Sequence, residues 1–542
     1  MELFWHRRDL RLADNVGLAA AADRCGAGGD ANDDVIETGT DGDVTETDAV
    51  AGMFVFDDDV LAHASDVRVR RLLDGLAALR ADYRDRGSDL LVAHGDPTAV
   101  LPAVADALDA ERVVWNRDYS GLARRRDTAV RRSLADADID REAHHDAVLH
   151  TPDSIRTNAG DPYSVYTYYW KKWTDREVDD PASTPGGAAL TDPEPLRAAV
   201  ERVEEEEAVT DGGVGADHVA VGDLPSLTAL GFSAPDADIG PAGTAAARDR
   251  LDDFLDEAVF AYDAERDYPA REATSRLSTF LKYGEIGVRE VYAATEAAMG
   301  RAEERVRDGA GDEGDGDGTA SGGDADGGEG PVTAVEEYQQ QLAWREFYTQ
   351  VLFHNPEVVT TNYKTYEEGI DWRDDPEEIA AWKRGETGYP IVDAGMRQLR
   401  AEAFMHNRVR MIVASFLTKD LLADWRHGYD HFRERLADHD TANDNGGWQW
   451  AASTGTDAQP YFRIFNPMTQ GERYDPDAEY VKKYVPELRG LDADLIHGWH
   501  ELSPTQRANA APEYPKPIID HSERREKALA MYKRARGEDP EE

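Results

Sequence analysis

The sequence predicts two domains of different class, an N-terminal α/β domain followed by an all-α domain. Three observations carry this. The chain has 542 residues, more than a single hydrophobic core comfortably organises. Residues 1 to about 140 alternate short apolar runs with helical stretches, whereas from about 246 to 542 the pattern is almost wholly helical. The 41% hydrophobic content is enough for two cores. The segment between, 141–245, is rich in Asp, Glu, Pro, Gly and Ala over its later part and reads as an interdomain linker wrapping the surface.

In the first domain, Leu3-Phe4-Trp5, Met53 to Phe56, Leu90-Leu91-Val92 and Val113-Val114-Trp115 read as buried strands. Helices over 67–86 and 97–109 lie between them, the alternation of a parallel sheet. Gly26 to about Thr47 reads as a loop insertion; its Gly26-Ala27-Gly28-Gly29 leads into a polar run and not a helix, which makes a phosphate loop a poor reading. A second insertion spans 308–330, with 10 glycines and 8 acidic residues and no Lys or Arg. Such a stretch cannot build a core and is expected to be disordered.

Composition narrows the chemistry. Cys25 is the single cysteine, so an intramolecular disulfide, a four-thiolate zinc site and a cysteine-ligated iron–sulfur cluster are excluded. Redox chemistry then needs an organic cofactor. His144, His145 and His150 match no metal-ligand spacing, and no metal is expected. No apolar run reaches membrane-spanning length, and the start Met1 to Arg8 has neither signal-peptide nor transit-peptide character, so a soluble, cytoplasmic protein is expected. A monomer is the simplest expectation.

The formal charge is −49, from 109 acidic against 60 basic residues, of which 11 are lysine. Such a balance opposes binding to polyanions unless a basic patch is kept locally on a surface made acidic for high salt. Composition does not choose between these readings.

Three segments carry candidate chemistry. Phe404 to Met411 reads as the start of a helix running to Trp425, with Phe404, Asn407, Arg408 and Met411 on one face; an amide, a cation and a thioether together suit a flat aromatic ligand. Asp438 through Trp450 places acids before Gly446-Gly447, where the backbone can approach a neighbour closely. Thr274 to Ser278 fits a helix start whose hydroxyls and free amides can hold a diphosphate or simply cap the helix. Six of the 11 tryptophans fall between Trp344 and Trp450, the place to look for a planar cofactor or base, although core packing explains any one of them.

These segments, with Trp5 to Leu12, Trp344 to Tyr348, Gly388 to Ala394 and Asn445 to Asp457, resemble the DNA photolyase and cryptochrome family, most of all class I photolyases for cyclobutane pyrimidine dimers. The resemblance implies a Rossmann-like antenna domain and an all-α FAD-binding domain that holds FAD bent into a U. It implies that Tyr262, Thr274, Ser275, Arg276, Leu277 and Ser278 bind the diphosphate side, and that Asn407, Arg410, Asp438 and Asp440 surround the ribose and flavin ring. Asp444 falls where the flavin N5 is faced. Trp448, Trp425 and Trp372 match three tryptophans that carry electrons from the surface to the flavin.

The lesion pocket implied is Gln341, Trp344, Met411 and Trp450, with Arg266, Arg345, Arg408 and Arg463 touching phosphates of damaged DNA. A covalent dimer stacks poorly and flips out more cheaply than a normal pair, and tryptophan faces can receive it; photolyases are themselves standard examples of base flipping. The implied activity is light-driven splitting of the dimer by an electron from reduced FAD, with the cofactor doing the chemistry. Three positions near the implied pocket depart from the pattern, the mildest being Phe404 in place of a usual tryptophan. Gln341 stands where relatives carry a glutamate, and Asp444 where bacterial photolyases carry an asparagine and plant cryptochromes an aspartate, which favours the alternative of a cryptochrome-like light sensor. Action on (6-4) photoproducts would need histidines where Asn407 and Met411 stand. A second, antenna chromophore is implied, a deazaflavin or a folate, with Ser120 where folate-binding relatives have a glutamate.

Overall fold

The computed structural model describes residues 1–27, 49–209, 218–220, 223–311 and 330–539. Its N-terminal half is built on one sheet: β1 (Glu2–His6), β2 (Val50–Phe56), β3 (Leu90–His94), β4 (Arg112–Asn116), β5 (Asp140–His144) and β6 (His218–Ala220). The strand order is β5-β4-β1-β2-β3-β6. The first five are parallel, with Glu2 opposite both Val50 and Arg112, and β6 joins β3 antiparallel. Strands β1 and β2 are buried along their whole length, as near-continuous apolar runs in a doubly covered sheet must be.

The expected strands all form. Strand β5 was not legible: Asp-Arg-Glu-Ala-His is polar because this edge strand meets solvent. Four helices cover the sheet, α1 (Val16–Ala27), α2 (Asp66–Arg84), α3 (Pro97–Ala107) and α4 (Gly121–Asp136). Asp96 starts α3 by accepting from the Thr98 amide, with Pro97 in the first turn. Gly26 and Ala27 close α1, so the expected insertion begins after them, and its remainder lies outside the described residues.

The segment 141–245 is more structured than a linker. Helix α5 (Tyr166–Trp173) packs toward the second domain, and α6 (Pro193–Val209) returns to the sheet, adding Leu196, Ala199 and Val203 to the core formed by Leu3, Trp5, Met53, Val113 and Trp115. Beyond it the chain is helical. The elements that matter below are α7 (Ser278–Tyr283), α8 (Val288–Gly311), α9 (Gly330–His354), α10 (Pro390–Glu402), α11 (Asn407–Ser415), α12 (Trp425–Arg435), α13 (Thr441–Ala451) and α14 (His521–Ala535).

Two expectations are corrected here. Residues 308–311 complete α8 and Gly330 opens α9, so the acidic insertion is shorter than expected at both ends, each added turn gaining a backbone bond; 312–329 lie outside the described residues. The helix expected from 404 to 425 is two helices. His406 caps α11 by accepting from the Arg408 amide, a π-turn Phe416–Asp420 follows, Leu422 turns with φ 56°, and Asp424 caps α12. Phe404 therefore precedes the helix and does not share its face.

The two domains are joined by buried charge. Arg11 pairs with Asp146 at 2.7 Å, and Arg289 at the start of α8 reaches both Asp14 (2.8 Å) and Asp146 (2.7 Å). Nearly every acceptor in this network is taken, the condition under which buried ion pairs fix an orientation. The early arginine-rich motif thus orients one domain on the other.

Candidate active site

The loop before α7 turns sharply, with Arg276 at φ 51°, a left-handed conformation uncommon for a residue with a side chain. Its carbonyls are engaged: Arg250 donates to the oxygens of Thr274 (2.8 Å) and Ser275 (2.9 Å). The amides of Thr274, Ser275 and Arg276 donate no hydrogen bond among the described residues. Beside them Ser275 Oγ accepts from Tyr338 (3.0 Å), and Tyr338 meets the buried ring of Tyr262 edge-on at 5.2 Å. Leu277 is buried and Ser278 exposed. Unused amides converging at a turn make an anion cradle.

From this loop Arg276 lies over the ring of Phe404 (4.9 Å), and Arg410 lies over the same ring (5.5 Å). Phe404, expected as one side of a polar face, instead links the loop to a charge cluster. Arg410 on α11 donates to Asp438 Oδ2 at 2.7 Å and lies 3.7 Å from Asp444 Oδ1. Asp444 Oδ2 in turn lies 2.6 Å from His439 Nδ1. Burial lowers the His439 pKa against the opposing pull of Asp444. The second oxygen of Asp438 is buried without a partner, a costly arrangement unless a ligand donates to it.

Asp440 does not join this cluster through its side chain. It caps α13, accepting from the amides of Ala442 and Asn443 at 3.1 Å, and takes Arg8 of the first domain at 2.9 Å. Burial opposes its charge, yet Arg8, Lys282 and Arg345 hold its carboxyl well below the usual carboxylate range. An N-cap immediately before Thr441 was the signal available in the sequence.

The residues expected to receive the lesion sit on α9, α11 and α13, and α13 packs against both of the other two. Gly446 makes this possible: a Cβ there would lie 2.2 Å from the Tyr348 ring of α9, while Gly447 faces open space. Trp344 on α9 and Trp450 on α13 are half-buried, as is Met411 on α11, and Asn407 is exposed beside Met411 with its amide 4.0 Å from the sulfur. Trp344 stacks on Tyr166 of α5, with ring centres 3.6 Å apart and planes at 11°. Gln341 turns back along α9, its amide donating to the carbonyl and carboxylate of Glu337 at 3.1 and 3.3 Å. Burial raises the Glu337 pKa, with Arg266 opposing.

The four arginines expected around the pocket separate. Arg463 is exposed with no ion pair among the described residues. Arg266 pairs with Glu337 at 2.6 Å, and Arg408 pairs with Asp267 while covering the Tyr474 ring at 4.5 Å. Arg345 points inward between the domains, donating to the Ala147 carbonyl at 2.6 Å. One residue after Trp344, a helix turns the side chain about 100° away. Two of the four, Arg266 and Arg408, are thus counter-charged by neighbouring carboxylates.

The three tryptophans share one core cluster, with Trp448 and Trp425 inside it and Trp372 packed against it. Trp448 is 2% exposed and Trp425 is fully buried, whereas Trp372 is half-buried. Helix α12 carries Trp425 and presses Gly428 and Phe432 onto Trp448, the latter with ring centres 5.0 Å apart. The segment after Trp372 is bonded to the turn before Trp425 by Arg373 N to Leu422 O and by Asp424 N to Asp374 Oδ1, both 2.8 Å. Sequence reasoning missed His439, Glu337, Tyr166 and Gly428. Glu337 at four residues before Gln341 was in principle legible; Tyr166 and Gly428 act through tertiary neighbours that no local pattern encodes.

Fold and site together define a class: a two-domain α/β plus all-α protein with unused backbone amides and an unsatisfied buried carboxylate in its helical domain, beside helices that carry Trp344, Met411 and Trp450. Residues 2–186 match the model of the DNA photolyase family, and 338–534 that of the FAD-binding domain of DNA photolyase. The chain is 57% identical to a deoxyribodipyrimidine photo-lyase of Halobacterium salinarum over 99% of its length and all of the relative's. It is 37% identical to one of a Synechococcus species, over 98% and 96%. Among solved structures it is similar to a class III photolyase of Agrobacterium tumefaciens, with a TM-score of 0.79, 34% identity and 99% and 98% of the chains covered. An archaeal photolyase of Sulfolobus tokodaii, solved with two FAD molecules, gives 0.72 at 28% identity, covering 98% and 100%. The chain belongs to the DNA photolyase family and carries its FAD-binding domain. Among the described residues no helix is long and apolar enough to cross a membrane.

Proposed function

We propose that this protein is a deoxyribodipyrimidine photo-lyase that repairs cyclobutane pyrimidine dimers in damaged DNA with light. The observation that carries the reading is that two helices, α11 and α13, carry both the Arg410–Asp444 part of the charge cluster that reaches Asp438 and the residues Asn407, Met411 and Trp450. The first would hold the cofactor, and the second would receive the two linked bases of the dimer. Bound FAD supplies a light-driven one-electron donor, chemistry that no side chain here provides.

The chain's own residues bind and orient. The amides of Thr274, Ser275 and Arg276 hold the diphosphate, and the free Asp438 oxygen accepts from the sugar or ring. Trp344 and Trp450 receive the flipped dimer by stacking, which displaces Tyr166 from the face of Trp344 or uses its other face. Glu337 fixes the Gln341 amide, which offers the bases a donor and an acceptor without a charge. Arg463 takes a phosphate directly, whereas Arg266 and Arg408 first exchange Glu337 and Asp267 for it. Trp448, Trp425 and Trp372 pass electrons inward to restore the reduced cofactor. Asp440 and Arg345 serve the domain interface and leave the cofactor and DNA roles to their neighbours. A deazaflavin or folate antenna in the α/β domain extends the light range; Ser120 caps α4 there through the Ala123 amide at 3.2 Å. The protein acts in the cytoplasm as a monomer.

The test is binding in the dark: an oligonucleotide with one thymine dimer should bind at least tenfold more tightly than its undamaged twin, and Trp344→Ala should abolish the difference. Equal affinities for the two DNAs, with FAD bound and light-reducible, would favour the light-sensor reading that Asp444 allows.

A further inference from the structure

Glu337, Gln341 and Trp344 stand on α9 at spacings of four and then three residues, a stripe that shares one face of the helix. All three are half-buried. Gln341 is thus the polar group one turn from Trp344, and what it shows to a neighbour depends on which way its amide lies. One end of an amide accepts hydrogen bonds and the other donates two, and the ends are nearly the same size. Its orientation is set by its partners.

Here both partners are acceptors. Gln341 Nε2 donates to the Glu337 carbonyl at 3.1 Å and to its carboxylate Oε1 at 3.3 Å. Arg266 lies 2.6 Å from the same Oε1 and favours the charged carboxylate, which can only accept. Turning the amide over would set its oxygen against two other oxygens, one of them anionic, so the nitrogen stays toward Glu337. Both N–H bonds are then used within the helix. The Gln341 carbonyl oxygen is left over: it accepts nothing among the described residues and is not sealed from solvent.

We infer that Glu337 is a specificity-determining residue: it fixes Gln341 as an acceptor and so selects pyrimidine dimers that present an N3–H, those of thymine or uracil, over those of cytosine. The inference rests on the lesion pocket proposed above and goes on to name which bases it prefers. Joining two pyrimidines saturates their C5–C6 bonds and leaves the N3 edge intact. A thymine offers its imide hydrogen to the Gln341 carbonyl. A cytosine sets a bare ring nitrogen there, and two acceptors face each other with no bond between them. A site built to receive a hydrogen discriminates more strongly against the isostere that lacks it than an apolar pocket does. Gln341 free to turn would serve either base, and Glu337 removes that freedom. Release of Arg266 to a DNA phosphate leaves the carboxylate and its hold on Gln341 in place.

The test uses FAD-bound protein in the dark and oligonucleotides carrying a thymine dimer or either mixed dimer, freshly made, in which 5-methylcytosine replaces one thymine. An undamaged twin completes the set. 5-Methylcytosine has the shape of thymine and differs only along the N3–C4 edge, so size plays no part. Fluorescence anisotropy should show one mixed dimer bound about tenfold more weakly than the thymine dimer. Glu337→Gln should cut that ratio to below about threefold, because its own amide can accept or donate and Gln341 can then turn an N–H to the bare nitrogen. A change that only loosened the helix would weaken all dimers alike and leave the ratio as it was. Glu337→Leu gives the same readout should the glutamine variant fold poorly. Equal wild-type affinity for all three dimers, or a tenfold ratio that survives in the folded variants, would overturn the inference. Failure of the lesion pocket itself reads differently: thymine-dimer and undamaged DNA would bind alike, and this inference would fall with it.

Discussion

Gly428→Ala tests whether close helix approach positions Trp448. A Cβ built at Gly428 falls 2.0, 2.3 and 2.5 Å from three carbons of the Trp448 indole, where carbon atoms normally keep about 3.5–4.0 Å. The ring or the helix must retreat by roughly 1.5 Å, and neither has room: Trp448 is 2% exposed, with Phe432 at 5.0 Å and Trp382 at 6.0 Å between ring centres. Overpacking of this kind costs about 1–3 kcal/mol, and exchanging glycine for alanine inside a helix returns about 1 kcal/mol. The net loss should be up to about 2 kcal/mol, read as a lower urea midpoint at unchanged slope. Light-driven reduction of bound FAD should slow in the same variant, because the displaced ring leaves the line to Trp425. A variant as stable as the wild type, reducing flavin at the same rate, would refute the packing argument.

Further outcomes follow from the same geometry. Trp448→Phe should abolish photoreduction of oxidised FAD while chemically reduced enzyme still repairs; preserved photoreduction would remove Trp448 from the electron path. Trp344→Ala should weaken binding of dimer-containing DNA by about 1–3 kcal/mol, measured by fluorescence anisotropy, with unchanged affinity ending its role as a stacking face. Arg463→Ala should lower the salt slope of DNA binding by about one unit, whereas Arg345→Ala, pointing inward, should leave that slope unaltered. Glu346 accepts from the amides of Leu149 and His150, and burial raises its pKa to about 7 against those bonds. Its folded value exceeds the unfolded value near 4.3, so the stability it adds is present below that pH and is lost as pH rises through 7. Relative to Glu346→Gln, the wild type should lose on the order of 3 kcal/mol between pH 4 and 8; a flat difference would contradict the assignment.

Much of the fold was legible in the sequence because its strands are continuous apolar runs and its helices carry caps. Strand β5 was not, because an edge strand of Asp, Arg and Glu has no apolar signature. The helix from 404 to 425 was misjudged at its ends, since His406 and Asp424 each cap a new helix and the π-turn between them has no periodic signal. Residue types in the site were read from motifs, but their directions were set by tertiary structure. Asp440 and Arg345 turn to the domain interface, Gln341 folds back on Glu337, and two of the rim arginines are held by carboxylates far away in sequence. A net charge of −49 fits this arrangement: the acidic surface reaches the edge of the pocket itself, and DNA must compete with it.

Repair itself decides whether the protein is a photo-lyase. Protein with chemically reduced FAD, in high salt, is mixed with an oligonucleotide carrying one cyclobutane thymine dimer and exposed to blue light beside a dark control. The dimer should revert to intact thymines in the light and persist in the dark, with Trp344→Ala losing repair at DNA concentrations that saturate the wild type. Dimers that persist in the light, under conditions where DNA is bound and FAD is reduced, would contradict the photo-lyase assignment.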